Sequence, residues 1–329
     1  PKEAVCQVFE NVNTGGVSLT VFELVTAMFA MGDFELRKDW EEIRKTYFTG
    51  NILSQVEATD FLQAMTLLTT YKASSRTGKA INCKRKDILD LQLADYKANR
   101  ANLTNGFAEA EKLLKEERIF TSKDLPYSTQ LIPLSVICTL LQESKTMNVA
   151  TNKDRIKQWY WCGVFGELYG GALETRYVND VVGVMDWIQG GKTPKTVDDS
   201  YFSPIRLLGL QTRNSAAYKG IMALIMKNGS NDFISGREMD FISYNEDGID
   251  IHHVFPQDYC ISKNYDKRLW NSVVNKTPIS YSTNRKIGGV APSKYLAKIE
   301  KDGNVQSSTL DSYLISHLLD VCALRSDDF

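Results

Sequence analysis

The chain has 329 residues, enough for two or three compact units, and its 43% hydrophobic and 24% charged residues are typical of a globular protein. The formal net charge of −1 argues against a basic coat over the whole surface. The sequence contains no run of about 18 apolar residues and no secretion signal, so we expect neither membrane insertion nor export. The six cysteines form no Cys-x-x-Cys pair, which predicts reduced thiols and a cytoplasmic location rather than a zinc or redox motif.

The first predicted element is a helix that begins after Thr20. Thr20 and Glu23 have the spacing of a capping box, and Leu19 and Leu24 have that of a hydrophobic staple. The Gly15-Gly16 pair before this helix predicts a turn. It is not a phosphate-binding loop, because neither Gly-Lys-Ser nor Gly-Lys-Thr follows it.

Between about residues 33 and 231, apolar residues recur at three- and four-residue spacing, which predicts a predominantly helical domain. Within it, the run Lys84-Arg85-Lys86 is compatible with DNA contact, but a solvated helix start is the favoured interpretation. The aromatic segment 159–169 has its rings at helical spacing and two glycines where another helix could approach. This pattern favours core packing over base stacking.

A group of polar residues in 250–256 specifies chemistry most clearly. Its sequence, Asp-Ile-His-His-Val-Phe-Pro, places two of the three histidines side by side before an apolar pair and a proline. This order predicts a short strand that ends in a rigid turn, with Asp250 on the same strand face as His252. Taken alone, the pair His252-His253 is more often structural than catalytic. The third histidine, His317, is expected at the surface or boundary of an apolar helix spanning 310–324.

The segment 273–286 predicts a strand, a turn and a helix start, with Ser282 or Thr283 as the helix cap. Asn275 would lie on the strand and Asn284 in the helix. The pattern His-His-x-x-Pro followed by these asparagines resembles the ββα-metal (His-Me finger) motif of HNH endonucleases, most closely the subgroup whose last metal ligand is Asn. The short segments IHHVFP, NKTPIS and STNRKIG resemble parts of the C-terminal DUF1524 nuclease domain of GmrSD-like restriction enzymes.

This resemblance implies a role for each residue of the motif. His253 would be the general base, since an imidazole titrates near neutral pH. His252 and Asn284 would hold a divalent metal, Mg or Mn; Ni or Zn also suits a His at a position where many relatives carry Asp. Asn275 would brace the loop and orient the base. The position of Asp250 on the same strand face as His252, and not the resemblance, makes it a candidate supporting hydrogen-bond partner.

Basic charge is concentrated around this motif. Residues 249–301 contain nine Lys or Arg and four Asp or Glu, a local excess of +5. Such a concentration is what contact with a DNA backbone requires. Arg285, Lys286 and Lys276 are the expected phosphate contacts, with a solvated charged face as the alternative for each. Whether Arg213 and Lys219 extend a DNA groove is left open.

The resemblance also assigns the domains. The segment FENVNTGGVSLTVFEL, residues 9–24, is similar to the end of the ParB-like DUF262 domain of the same enzymes. It implies that residues 1–32 are the C-terminal remnant of that domain, that 33–231 form a helical linking domain and that 232–329 form the DUF1524-like nuclease domain. The Asp-Gly-Gln-Arg motif of the ParB-like domain is absent from this sequence, so we assign no nucleotide dependence and expect the full-length protein to carry the rest of that domain.

The sequence thus predicts a mainly α-helical chain with a C-terminal ββα-metal module that hydrolyses DNA phosphodiesters in a restriction or antiviral defence system. A modified DNA substrate is implied by the resemblance alone, and the oligomeric state stays open. The alternative is a catalytically inert DNA-binding or scaffold protein that keeps the HNH fold, with its histidines in structural hydrogen bonds. A nuclease requires the coordinating atoms of His252 and Asn284 to lie roughly 3 to 5 Å apart, since each must reach a shared cation at about 2.1 Å.

Overall fold

The computed structural model describes residues 19–171 and 173–329. These residues are mainly helical, and the strands among them form a two-stranded sheet. They divide into two compact units: the first comprises residues up to 113, 121–123 and 127–200, and the second comprises 114–120, 124–126 and 201–329. No helix within the described ranges is long and apolar enough to cross a membrane.

The first unit is built from helices joined by short loops. The helix α6 (Leu131–Glu143) buries every residue from Leu131 to Leu141 and lies in the core of this unit. In chain order the helices are α1 (Val21–Ala30), α2 (Leu36–Tyr47), α3 (Ala58–Thr77), α4 (Arg85–Ile88), α5 (Leu93–Glu116, whose last three residues belong to the second unit), α6, α7 (Ala150–Phe165), α8 (Glu174–Ile188) and α9 (Lys195–Asp198), with 3-10 turns at Ile52–Gln55 and Ser128–Gln130.

The start of α1 confirms the predicted capping box. The backbone N–H of Glu23 donates to Thr20 Oγ1 at 3.3 Å, and the backbone N–H of Thr20 donates to Glu23 Oε2 at 2.7 Å. This reciprocal pair satisfies backbone donors that a helix start otherwise leaves unpaired. The predicted Gly15-Gly16 turn lies outside the described residues.

The aromatic segment of α7 confirms the core-packing prediction in part, because Trp161 and Phe165 are only half-buried. Trp159 and Tyr160 are fully buried, and Tyr169, beyond the helix, is 2% exposed. A Cβ at Gly163 would lie 2.5 Å from the Gln130 side chain, so glycine permits this close approach. These buried rings are therefore not available to stack on bases.

The second unit is arranged around a β-hairpin. Its strands pair antiparallel, from Ile249 opposite Ser280 to His253 opposite Lys276, over an apolar core that includes Tyr295. In chain order the elements are α10 (Ala216–Lys227), α11 (Phe241–Asp247), β1 (Ile249–His253), α12 (Gln257–Ser262), α13 (Lys267–Trp270), β2 (Lys276–Ser280), α14 (Tyr281–Ile287), α15 (Pro292–Gly303), α16 (Ser307–Ser316) and α17 (Val321–Ser326), with 3-10 turns at Pro204–Gly209 and Val273–Asn275.

The expectation of one helix over 310–324 is wrong. Helix α16 ends at Ser316, and Leu318 adopts a left-handed backbone conformation with φ of 61°. A bulky residue at positive φ breaks the helical path. Asp320 then starts α17 by accepting a hydrogen bond from the backbone N–H of Ala323 at 3.0 Å.

The expectation of a surface position for His317 is also wrong. Its side chain is 2% exposed. Its Nδ1 lies 2.6 Å from Thr277 Oγ1 and its Nε2 lies 2.9 Å from the backbone oxygen of Asn231. Burial lowers the pKa of His317 to about 4. The ring is therefore a neutral, fully hydrogen-bonded part of the core beneath the hairpin.

Candidate active site

The hairpin and the helix after it position the residues of the histidine motif. Because successive side chains of a strand point to opposite faces, Asp250 and His252 share one face of β1 while His253 points to the other. Strand β2 leads directly into α14, which carries Asn284. The cap of this helix is Ser280, whose Oγ accepts from the backbone N–H of Thr283 at 3.2 Å, so the prediction of Ser282 or Thr283 as the cap is wrong.

A chain of hydrogen bonds joins Asn284 to both His252 and Asp250. Nδ1 of His252 lies 2.9 Å from Oδ1 of Asn284. Nδ2 of Asn284 donates to Oδ2 of Asp250 at 2.7 Å, and Nη2 of Arg213 donates to Oδ1 of Asp250 at 2.8 Å. Since a carboxylate only accepts hydrogen bonds, Asp250 draws the amide NH₂ of Asn284 toward itself and leaves the amide oxygen facing His252.

Asp250 is ionised in this arrangement. Burial alone would raise its pKa, but hydrogen bonds from Arg213, the Ile251 backbone and Asn284 together lower the pKa below the ordinary value. Sequence reasoning proposed Asp250 as a supporting partner, and the structure brings it into contact with the Asn284 side chain. Arg213, left open from the sequence, forms the outer end of the chain, with 63% of its side chain exposed.

His252 is held as a neutral imidazole. It is 4% exposed, and burial lowers its pKa to about 4. The rings of Tyr295 and Phe233 meet it edge-on at centroid distances of 5.7 and 6.5 Å. Its Nε2 is buried and has no hydrogen-bond partner among the described residues. A neutral imidazole carries a proton on one nitrogen and a lone pair on the other, so Nδ1 can bind a cation when the proton lies on Nε2.

His253 occupies a different environment on the opposite strand face. Its Nε2 lies 3.3 Å from Oδ1 of Asn271, and its ring packs against Trp270 at 5.9 Å. Burial is the largest cause that lowers its pKa, and the positive charges of Lys276 and Arg213 lower it further. The imidazole is neutral at physiological pH and chemically able to accept a proton. Asn271 was missed by sequence reasoning, because nothing in its spacing marks it.

Asn275 braces the loop between β1 and β2. Its Oδ1 accepts from the backbone N–H of Phe255 at 2.8 Å, and its Nδ2 donates to the backbone oxygens of Phe255 and Trp270 at 2.9 Å each. It lies in the 3-10 turn that precedes β2, so the prediction that it lies on the strand is wrong, and it is 5% exposed. All three bonds go to backbone atoms. Its influence on His253 therefore acts through the neighbouring Trp270-Asn271 segment.

The three expected phosphate contacts lie in two kinds of environment. Arg285 and Lys286 are exposed on α14, and the Arg285 guanidinium lies 5.6 Å from the centre of the Tyr281 ring. Lys276 is 7% exposed, and its Nζ donates to the backbone oxygen of Gln211 at 2.8 Å. Burial and the charge of Arg213 lower the pKa of Lys276. The structure thus places Arg285 and Lys286 in solvent and the Lys276 ammonium in an internal hydrogen bond.

A buried carboxylate that sequence reasoning missed anchors the start of α14. Asp232 is fully buried, and it accepts hydrogen bonds from the backbone N–H of Ser280 at 3.0 Å and from Thr283 Oγ1 at 2.7 Å. It also accepts from the backbone N–H of Ser235 at 2.9 Å. Burial would raise its pKa, but these hydrogen bonds lower it below the ordinary value. Asp232 therefore holds the turn that aims α14 and Asn284.

The donor chemistry of His252 and Asn284 fits a divalent cation. A neutral imidazole nitrogen and an amide oxygen 2.9 Å apart have the separation of two adjacent corners of an octahedron whose centre is about 2.1 Å from each. The same distance is that of an ordinary hydrogen bond, which the scaffold alternative predicts. Among the described residues, no group of three or more His, Cys, Asp or Glu is placed to hold a metal.

Comparison with known proteins gives a relative without a described activity. No family model matches the chain. The chain is 27% identical over 309 residues to the uncharacterized protein MJ0686 of Methanocaldococcus jannaschii. The aligned region covers 90% of this chain and 50% of the relative. The chain therefore spans about half the length of the curated relative it matches. This similarity extends over both compact units and assigns no activity to either.

Proposed function

We propose that the chain is a metal-dependent DNA endonuclease of the GmrSD-like restriction type, with a ββα-metal module in its second unit. One observation carries the proposal: Nδ1 of His252 and Oδ1 of Asn284 lie 2.9 Å apart, with the amide turned by Asp250. The topology supports it, since β1 pairs antiparallel with β2, helices α12 and α13 lie in the connection between them, and β2 leads directly into α14. This is the arrangement that the histidine motif predicts.

The proposed chemistry assigns different tasks to the two histidines. His252 and Asn284 would hold a divalent cation, Mg or Mn, which when bound supplies positive charge for the phosphate that is cleaved. His253 is neutral and half-buried, so it can take the proton of the attacking water. Asn271 faces its Nε2 and fixes the ring orientation. Asn275 keeps the loop in place through its three backbone bonds.

The substrate surface is proposed from charge. Arg285 and Lys286 lie one and two residues after Asn284 and are exposed. Their distance from Asn284 along the chain suits contacts with phosphates that flank the cleaved bond. DNA as the partner, a modified substrate and a role in defence rest on the resemblance of the motif.

Conversion of supercoiled plasmid to nicked or linear DNA tests this function. The full chain is incubated with Mg²⁺ and with Mn²⁺ and compared with His253→Ala and Asn284→Ala. Asn245→Ala is the matched control, because Asn245 is an exposed helical asparagine whose amide bonds only to the backbone of its own helix. We expect cleavage that requires metal, survives in the control and is lost in both site variants. Unmodified plasmid and plasmid with modified bases are tested in parallel.

The inert-scaffold alternative has its own supporting observation. Both histidines are engaged by asparagines at hydrogen-bonding distances, 2.9 Å for His252 and 3.3 Å for His253. A scaffold predicts that neither metal stabilises the folded chain against heat and that no substrate is cleaved. A nuclease predicts that Mn²⁺ raises the melting temperature of the wild-type chain and of Asn245→Ala but not of Asn284→Ala. This measurement separates the two functions even when the correct DNA substrate is missing.

A further inference from the structure

The first unit carries a line of exposed cations that the nuclease site does not use. Residues 61–86 contain no Asp or Glu and six Lys or Arg. One of them, Lys72, is paired with Glu143 at 2.5 Å. The other five are exposed, and within the described residues none of them forms an ion pair. We refer to these five as the basic stripe: Arg76, Lys79, Lys84, Arg85 and Lys86.

The stripe has a defined shape because its loop folds back along α3. Helix α3 ends at Gly78, whose left-handed φ of 66° reverses the chain. The returning segment is tied to the helix by Thr70 Oγ1, which donates to the backbone oxygen of Asn82 at 2.8 Å, and by Gln63 Nε2, which donates to that of Cys83 at 2.9 Å. Lys79 therefore lies near the C-terminal end of α3. Lys84, Arg85 and Lys86 follow Cys83, whose backbone is bonded to Gln63 near the N-terminal end of the same helix.

The length of the stripe matches several nucleotides. Gln63 and Arg76 are 13 residues apart in α3, which corresponds to about 20 Å along a helix at about 1.5 Å per residue. Phosphates on one DNA strand follow one another every 3.4 Å or so along the axis, so the stripe extends over roughly six base pairs. Five cations over this length are enough to neutralise several phosphates at once.

We propose that the basic stripe is a second DNA-contacting surface, located on the helical unit and directed at the phosphate backbone without reading sequence. It deepens the proposed nuclease function by adding a contact outside the catalytic unit. A nucleic-acid backbone is favoured over a membrane surface, because no large apolar side chain between residues 48 and 148 is exposed. Membrane-surface binding combines basic charge with apolar insertion, and the stripe offers charge alone.

The experiment measures binding without cleavage. Affinity of the full chain for a labelled DNA duplex of about 30 base pairs is measured in EDTA between 50 and 200 mM salt. The triple variant Lys84→Ala, Arg85→Ala, Lys86→Ala removes one end of the stripe, and Arg76→Ala with Lys79→Ala removes the other. The matched control is Lys38→Ala with Lys112→Ala, two exposed lysines of the same unit that are paired with Glu35 and Glu109.

The expected result is a change in salt dependence. Loss of three phosphate contacts lowers the slope of log affinity against log salt by about 2.7, so between 50 and 200 mM the wild-type chain loses about 40-fold more affinity than the triple variant. The double variant lowers the slope by roughly two, and the control leaves it unchanged. Unchanged melting temperatures show that the substituted chains are folded.

Three outcomes would overturn the stripe as a DNA surface. The first is an unchanged slope in both stripe variants, and the second is an equal reduction in the control. The third comes from a parallel assay with vesicles of anionic lipid: the wild-type chain binds the vesicles, and the stripe variants lose this binding while their DNA binding is intact. Because the assay contains no metal, it is independent of catalysis. Plasmid cleavage with an unchanged slope would reject the stripe alone. A reduced slope with neither cleavage nor stabilisation of the folded chain by Mn²⁺ would reject the nuclease alone.

Discussion

Replacing Asp250 with Asn tests how the Asn284 amide is oriented. Asp250 accepts from Asn284 Nδ2 at 2.7 Å and from Arg213 Nη2 at 2.8 Å, using a different oxygen for each. An asparagine at this position keeps the size but has one oxygen and one NH₂ group. If its oxygen accepts from Arg213, its NH₂ meets the NH₂ of Asn284. Asn284 must then turn over, which presents nitrogen instead of oxygen to His252.

The size of the effect follows from the type of bond that is lost. A hydrogen bond to a charged acceptor contributes about 1.5 to 3 kcal/mol, and loss of a group that orients a metal ligand reduces activity or metal affinity by about 10- to 100-fold. The lost hydrogen bond from Asn284 lowers folding stability by up to the same amount. Arg213 is 63% exposed, so its ion pair with Asp250 contributes less than about 1 kcal/mol after solvent screening.

Plasmid nicking at increasing Mn²⁺ concentration measures this effect. We expect Asp250→Asn to need at least tenfold more metal, or to cleave at least tenfold more slowly at saturating metal, while its melting curve shows that the chain is still folded at the assay temperature. Glu246→Gln is the matched control, because Glu246 pairs with Arg237 on the surface, with half of each side chain exposed. Nicking by Asp250→Asn within twofold of the control would refute the orienting role of Asp250.

Three further predictions follow from other parts of the second unit. Asn275→Ala removes three buried backbone bonds, so we expect the free energy of unfolding in urea to fall by about 2 to 4 kcal/mol, against less than about 0.5 kcal/mol for Asn245→Ala. Arg285→Ala with Lys286→Ala should reduce the salt slope of DNA binding by about two and leave the cleavage rate at saturating DNA unchanged. The pKa of His317 is lowered to about 4 on folding; its neutral ring therefore contributes stability above about pH 6.5 that is lost as the pH falls toward 4. Between pH 7 and pH 4.5, we expect the free energy of unfolding in urea to fall by roughly 2 to 3 kcal/mol less in His317→Gln than in the wild-type chain.

Local signals in the sequence predicted local structure well. The capping box of Thr20 and Glu23 and the buried rings of Trp159 and Tyr160 are confirmed, because each depends on neighbouring residues and helical spacing. The pattern around His252 and Asn284 led to two side chains that do meet, although 32 residues separate them. That meeting was expected from a resemblance to a known motif. Periodicity alone would not have brought these residues together.

Features set by tertiary contacts were not predictable in the same way. His317 is polar and lies at the end of an apolar helix, so its sequence position favoured the surface. In the fold, Thr277 and Asn231 satisfy both of its ring nitrogens, which makes burial favourable. Likewise, Lys276 looked like a phosphate contact by its place beside Asn275. Its ammonium is instead buried against the backbone oxygen of Gln211, 65 residues earlier.

The two carboxylates that arrange the candidate site show why a motif is an incomplete description of it. An asparagine can serve as an oxygen donor only if something fixes which end of its amide faces the ligand. Asp250 supplies this selection because it accepts from the NH₂ end, and Asp232 fixes the helix start from which Asn284 projects. Neither aspartate carries out the proposed reaction. A substitution at either aspartate should therefore impair the proposed metal binding as a substitution at Asn284 would. A motif search restricted to His252, His253 and Asn284 would not identify either aspartate.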